Sequence, residues 1–449
     1  MDFSRLLTPA LAAMLLVCVA GCAVGAPLAS REKPNVIIIV ADDLGVGDLS
    51  HNGSIIHTPN IDALAQSGAS FSQFYASANV CSPSRAGLLT GRYPIRMGLA
   101  HKVVEAGSGQ GLPAEEITLA EELATRGYAT ALVGKWHLGD EARFWPTAHG
   151  FDEFFGVLHS NDMRPLVLFD GETALERPAD QATLTRRYTE RAIAFLEAHR
   201  EAPFFLYLGH TFPHYPLHAS EAFRGRSKAG SYGDAVEEID WSLGEIMRAL
   251  ARLELTQNTL VMFTSDNGAW FEGSNQTLRD GKGHTFDGGY RVPMIMHWPG
   301  RIRPGLEVPS IAMNTDLLPT VLAAPGISGP PSDRQLDGES LWPVLNGEPA
   351  PADRTLVLFN NEDIAGVRTQ RWKYLVRAYY RDNYAAFDRF EAGFGFAYPL
   401  LYDMSEPRPE RYSVASLHPE ITRRLEQQVE EARSEFEPLR TQPAARVVP

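Results

Sequence analysis

The sequence predicts an α/β fold: a large, mostly parallel sheet sandwiched by helices, followed by a smaller C-terminal α+β unit. Three observations carry this. Apolar, β-branched runs without polar alternation recur along most of the chain, as expected of strands buried on both faces. Amphipathic helical patterns lie between them, and such alternation winds into a parallel sheet. Past a Pro/Gly/Ser/Asp-rich stretch from Pro325 to Ser340, short strand-like runs follow from about Arg354 and end in one last helix. The expected boundaries are 1–22 for an N-terminal apolar segment, 33–345 for the large domain and 354–440 for the small unit.

In chain order, the first element is "LLTPALAAMLLVCVAGCAV", Leu6 to Val24, apolar behind Arg5 and small at its end. It reads as a secretory signal and is too short and weakly flanked for a membrane span. "VAGC", Val19 to Cys22, is similar to the lipobox of bacterial lipoproteins: cleavage after Gly21 removes Cys18 and places acyl chains on Cys22. The alternative is an ordinary signal peptide cut near "AVGA". Both predict export, to a bacterial periplasm or outer membrane, and a lipidated Cys22 adds a stable anchor.

Four strands then end in chemistry. "NVIIIVADD" stops at Asp42 and Asp43, "YATALVGKWHLG" at Lys135 and His137, "PFFLYLGHTFPHYP" at His210 and His214, and "TLVMFTSDNGA" at Asp266 and Asn267. Between them, "TLAEELATRGY" has the Thr118/Glu121 spacing of a capping box and Gly127 at its end. "YGDAVEEIDWSLGEIMRALARL" sets Val236, Ile239, Leu243, Ile246 and Leu250 at helical spacing. Open α/β sheets bind ligands at the carboxyl ends of their strands, so four clusters meet on one edge. Each alone is a plausible cap or turn; together they combine hard oxygen ligands suited to Ca²⁺ or Mg²⁺ with positive charge and proton-transfer groups. A dication beside such a set holds an anion and stabilises charge developing on its oxygens.

The formal net charge of −14 argues against nucleic-acid binding, and a local basic cluster can still accept an anionic substrate. Of three cysteines, Cys18 and Cys22 fall in the signal segment, which leaves Cys81 without a disulfide partner. It opens "CSPSRAGLLTGR", where Pro83 suits a first helical turn and Gly91 a helix end. Cys81 is thus expected at a helix N-terminus, with Arg85 on the same face. The residues alone leave an inert thiol, a reactive thiol or a modified residue open.

The stretch "CSPSRAGLLTGR" resembles the signature of the type I sulfatases, Cys-x-Pro-x-Arg followed by Leu-Thr-Gly-Arg. "PNVIIIVADDLGVGDL", "GKWHLG", "HGFDEFFG", "FTSDNG" and "GKGHTFDGGYRVP" follow in family order. The resemblance spans roughly 33–435 and is strongest, through "YGDAVEEID", "TGRYPIRMG" and "PPSDRQLDG", to the arylsulfatase A and N-acetylgalactosamine-6-sulfatase members. It implies an alkaline phosphatase-like fold, hydrolysis of sulfate esters, and oxidation of Cys81 by a sulfatase-maturating enzyme to Cα-formylglycine (3-oxoalanine), whose hydrate is the nucleophile. It further implies one Ca²⁺ on Asp42, Asp43, Asp266, Asn267 and an oxygen of residue 81. Arg85 would orient that residue, with His137 as base. Lys135 and Lys282 would bind sulfate oxygens, Ser160 would touch the sulfate, and His214 would be the general acid. His210 is expected to be structural and His284 a surface group near Lys282. The relatives' additional cysteines are missing here, so their disulfides do not carry over.

The expected substrate is a sulfated carbohydrate or other small sulfate ester, aryl sulfates included. The rivals are a phosphonate monoester or phosphodiester hydrolase of the same superfamily and an anchored glycan binder without turnover. The aromatic-rich "AYYRDNYAAFDRFEAGFGFAYP" is a candidate for the substrate entrance or for plain core packing, and the last helix carries a narrow stripe of Ile421, Leu425 and Val429.

Overall fold

The computed structural model describes residues 33–327, 329, 331, 334–378 and 394–441. The signal segment with Cys18 and Cys22, and most of the aromatic-rich stretch that ends at Pro399, lie outside the described residues.

Ten strands form one sheet: Asn35–Ala41 (β1), Ala69–Phe71 (β2), Ala129–Lys135 (β3), Glu153–Val157 (β4), Leu168–Asp170 (β5), Thr173–Glu176 (β6), Phe204–Gly209 (β7), Thr259–Ser265 (β8), Met294–His297 (β9) and Leu306–Val308 (β10). Its centre, in the order β8-β1-β7-β3-β4, is parallel. Antiparallel pairing closes both flanks, through β9 and then β2 beside β8 and the β5–β6 hairpin beside β4. The sheet is therefore mixed and mostly parallel. Helices Pro59–Ser67 (α1), Cys81–Thr90 (α2), Leu119–Ala124 (α3), Leu184–Ala198 (α4) and Gly230–Arg252 (α5) cover it.

Strand β1 explains the three-layer build. Ile37 and Ile39 share a core with Ile61 of α1, Tyr188 and Phe195 of α4, and Ile239 and Ile246 of α5. Val36, Ile38 and Val40 share another with Leu88 and Leu89 of α2 and Leu119 and Leu123 of α3. Both faces are covered, so alternation has no use in this strand. Each such side chain contributes about 1.5–3 kcal/mol by burial. Helix α3 has the reciprocal cap read from its sequence: Thr118 Oγ1 accepts from Glu121 N at 3.2 Å, and Glu121 accepts from Thr118 N at 2.7 Å.

The C-terminal unit is a four-stranded antiparallel sheet of Thr355–Asn360 (β11), Asp363–Thr369 (β12), Trp372–Ala378 (β13) and Phe394–Asp403 (β14), in that order. The helix Pro419–Phe436 packs on it through Leu425, Val429, Ala432 and Phe436. That stripe runs two turns further than the sequence pattern indicated, and Ile421 is only half-buried at its start. The same core takes in Tyr75, Tyr93, Phe286 and Tyr290 from the large domain. Among the described residues no helix is long and apolar enough to cross a membrane.

Candidate active site

The carboxyl ends of β1, β3, β7 and β8 deliver their polar residues to one buried cluster. Between β4, β3 and β7 the backbones approach closely across a row of glycines. A Cβ on Gly134 would fall 1.8 Å from the Gly209 carbonyl oxygen, and one on Gly156 would fall 1.8 Å from that of Gly134. A Cβ on Gly209 would also crowd Arg85 Nη1 at 3.3 Å.

Cys81 is the first residue of α2, and Gly91 ends the helix in the left-handed region at φ 69°. The Cys81 thiol is buried, with Sγ 3.4 Å from Asp42 Oδ1 and 4.0 Å from Asp43 Oδ1. Burial, and then Asp42, push its pKa well up, so the thiol is protonated and a poor nucleophile as it stands. One turn on, Arg85 donates from Nε to Asp266 Oδ2 at 2.9 Å and from Nη1 to the Lys135 carbonyl at 3.1 Å. Its Nη2 stands 3.7 Å from Asp42 Oδ1.

Cations face the carboxylates. Lys135 Nζ donates to Asp42 Oδ2 and, at 3.2 Å, to Ser160 Oγ. Lys282 Nζ donates to Asp43 Oδ2 at 2.8 Å. Burial by itself would raise the Asp42 carboxyl, but Lys135, His214 and Arg85 together outweigh it and hold the group below the usual carboxylate range. Asp266 moves the other way, raised by burial and by Asp42. Burial would lower Lys282, but Asp43 holds it above its ordinary value.

The oxygen donors fit a hard dication. Ligand atoms of Asp42, Asp43, Cys81 and His214 all lie within 4.8 Å of one another. Asn267 donates from Nδ2 to Asp43 Oδ1 at 2.8 Å, while its Oδ1 is buried without a hydrogen-bond partner. Asp266 Oδ1 accepts from Asp43 N at 3.2 Å. Several carboxylate and amide oxygens around one point match calcium better than zinc. Asp43 and His137 sit at φ 66° and 62°, a left-handed conformation that costs about 1–3 kcal/mol per non-glycine residue and clusters at functional sites.

The three histidines differ. His137 is buried and neither ring nitrogen has a hydrogen-bond partner among the described residues; burial and then Lys135 hold it well below its ordinary pKa, hence neutral. His214 Nε2 lies 3.8 Å from Asp43 Oδ2, and its Nδ1 meets the Tyr215 carbonyl at 2.5 Å. Burial and then Lys282 lower it. His210 is buried and lowered to about 3 by burial alone, and neither of its ring nitrogens has a hydrogen-bond partner among the described residues. His284 is partly exposed, 4.0 Å from Asp280.

Three neighbours escaped the sequence reading. Asp162 feels His214, next after burial, and is lowered; it stands in "HSND", where only Ser160 was singled out. Trp270 places its ring 5.8 Å from Lys282 Nζ. Tyr207, beneath Arg85, is raised to about 12 by burial. Their signals are a strand tyrosine and two loop residues, which carry no spacing of their own.

The sulfatase family model matches residues 34–327, and that of the N-sulphoglucosamine sulphohydrolase C-terminal region matches 280–393. Arylsulfatase A of Bos taurus is 38% identical over 452 residues, covering 90% of this chain and 89% of its own. The chain belongs to the sulfatase family. This sulfatase is also 39% identical over 384 residues to N-acetylgalactosamine-6-sulfatase of Mus musculus, covering 78% of this chain and 72% of the relative. Among solved structures, Ps i-CgsB superposes with a TM-score of 0.78 at 30% identity, covering 89% and 92% of the two chains; it has also been solved in complex with k-i-k-neocarrahexaose. The sulfatase is a sulfuric ester hydrolase, and within the family it is similar to the arylsulfatase A and N-acetylgalactosamine-6-sulfatase members.

Proposed function

We propose that this sulfatase removes sulfate from sulfated carbohydrates, with aryl sulfates as surrogate substrates, after Cys81 has been converted to formylglycine. One observation carries the reading: residue 81 heads a helix among Lys135, Lys282 and Arg85, against Asp42, Asp43 and His214, with His137 near enough to Lys135, Arg85 and His214 to feel their charge. Such a set holds a sulfate's oxygens while a group at position 81 meets its sulfur.

The hydrated aldehyde supplies the oxygen nucleophile that the buried, protonated thiol does not. Asp42, Asp43, Asp266, Asn267 and an oxygen of residue 81 would hold calcium, which when bound would supply positive charge against the sulfate and the nucleophile. Lys135 and Lys282 bind sulfate oxygens, and Ser160 Oγ shares the Lys135 ammonium. Arg85, anchored by Asp266, orients residue 81. His214, in the imidazolium form that Asp43 favours against burial and Lys282, protonates the departing alcohol oxygen. His137, neutral because burial and Lys135 disfavour its charge, takes the proton whose loss releases sulfate. The carbohydrate preference is supported by the hexaose complex of Ps i-CgsB and by the export signal read in the sequence. The same signal and the lipobox place the enzyme, in this reading, in a bacterial periplasm or outer membrane, anchored through Cys22.

The test is the mass of the peptide containing residue 81, from protein made alongside a sulfatase-maturating enzyme. Formylglycine is expected, together with kcat/KM on an aryl sulfate well above that on the matched phosphate and phosphonate. An unmodified thiol, with the maturating enzyme active on a control sulfatase, would overturn the mechanism, and preference for the phosphorus esters would overturn the substrate class.

A further inference from the structure

In a chain with a formal net charge of −14, three arginines line one cavity outside the Cys81 cluster. It is an open cleft of about 470 Å³ between Thr277, Arg279, Arg408, Glu410, Arg411 and Tyr412. Glu410 turns its carboxyl inward: Lys373 Nζ donates to it at 2.6 Å and Asp287 N at 2.8 Å. Arg279 is held in place, with its guanidinium 3.7 Å from the centre of the Phe286 ring and Nη1 donating to the Glu410 carbonyl at 3.3 Å. Its carboxylate neighbour, Asp280, stands off at 3.8 Å. Arg408 and Arg411 are exposed and make no ion pair among the described residues. Tyr412 is 81% exposed, so its ring face is open to a ligand. Asp403, in the adjoining groove, is taken by Arg371 at 2.7 Å.

This cavity is tied to the catalytic cluster by a short piece of chain. Lys282, on Asp43, is three residues from Arg279, so their Cα atoms lie within about 11 Å. The loop is stiffened where Gly288 N donates to the Arg279 carbonyl at 2.9 Å and Lys282 N to the Ala269 carbonyl at 3.0 Å. A sugar chain of a few rings spans that interval. Planar guanidinium groups match the oxygens of a sulfate ester two at a time, and an exposed tyrosine offers an apolar face with a polar tip.

We propose that Arg279, Arg408 and Arg411 form a second anion subsite, which takes another sulfate group of an extended sulfated glycan whose scissile ester lies at residue 81, with Tyr412 against a sugar ring. The proposal rests on the carbohydrate reading above. It makes this sulfatase favour long, multiply sulfated chains over monosulfated sugars.

The test is calorimetric binding of inorganic sulfate and of a sulfated carrageenan disaccharide, tetrasaccharide and hexasaccharide to the full chain carrying Cys81→Ala, with and without Arg408→Ala/Arg411→Ala. Both arginines are exposed, so the fold tolerates their loss. Affinity should rise with length in the parent, and the double variant should lose at least about tenfold of that rise, the size of one lost charge-assisted contact. Inorganic sulfate should move less than about twofold. An equal rise in both chains, or no rise in the parent, overturns the subsite. Failure of the carbohydrate reading is separate: matured enzyme would hydrolyse 4-nitrophenyl sulfate yet release no sulfate from any of these sugars.

Discussion

Two buried ionic networks flank one loop of this sulfatase, and they use the same kinds of group in opposite ways. At Lys282 the loop meets Asp42, Asp43, Asp266, Lys135 and Arg85. Five residues on, at Asp287, it meets Lys373, Glu410, Tyr75 and Arg368. In the second network the polar atoms are paired. Lys373 Nζ donates to the Thr285 carbonyl at 3.3 Å, Asp287 Oδ1 at 2.8 Å and Glu410 Oε1 at 2.6 Å. Tyr75 Oη donates to Asp287 Oδ2 at 2.9 Å and accepts from Arg368 Nε at 2.9 Å. In the first, Asn267 Oδ1 and both ring nitrogens of His137 have no hydrogen-bond partner among the described residues, and Asp43 and His137 take left-handed backbone. A buried polar atom left unpaired costs about 1–3 kcal/mol. The paired network docks the small sheet on the large domain; the other contains the buried acidic cluster that could hold a metal ion.

The contrast predicts that damage to the two networks separates stability from turnover. The largest effect is expected for Lys373→Met, which leaves Asp287 and Glu410 buried without their cation and should cost about 3–5 kcal/mol of stability. Denaturant unfolding reads it, and an unchanged midpoint would make the network ornamental. His214→Ala should do the reverse. Thermal stability should barely move, while kcat falls by about 10²–10³-fold on a poor leaving group and less on 4-nitrophenol. Equal losses on both would rule out the acid role.

The smallest effect is a pH dependence. Burial pushes Glu410 from an ordinary 4.5 up to about 7, against the pull of Lys373. The folded state therefore keeps a proton that the unfolded chain has released, and this group's stabilising contribution is full below about pH 4.5 and is lost as pH rises towards 7. Glu410→Gln should flatten that slope between pH values of about 5 and about 7.5. An identical slope in both proteins would assign it elsewhere, Asp48 and Asp240 being raised to about 6 by burial.

Much of the buried polar edge was readable because strand-end chemistry is local. "NVIIIVADD" names a buried strand and its two carboxylates in nine letters, and "FTSDNG" does the same for Asp266 and Asn267. Cys81 at a helix start follows from Pro83 and Gly91 in the same way. The antiparallel flanks of the sheet were less legible, since β2 and β10 are three residues each and too short to show a period. Asp162 and Trp270 were illegible because nothing about a loop residue states what it faces.

The sequence by itself determined the buried strands, the helices with their caps, and the residue types waiting at each strand end, because period, capping and side-chain chemistry act within a few residues. Only the tertiary structure decided which groups meet. Lys373 reaches Asp287 across 86 residues and Glu410 across 37, and Arg279 comes to line a cavity with Arg408 and Arg411 from the far side of the small sheet's sequence. Long-range electrostatic pairing depends on distance in space, and distance along a chain does not encode it.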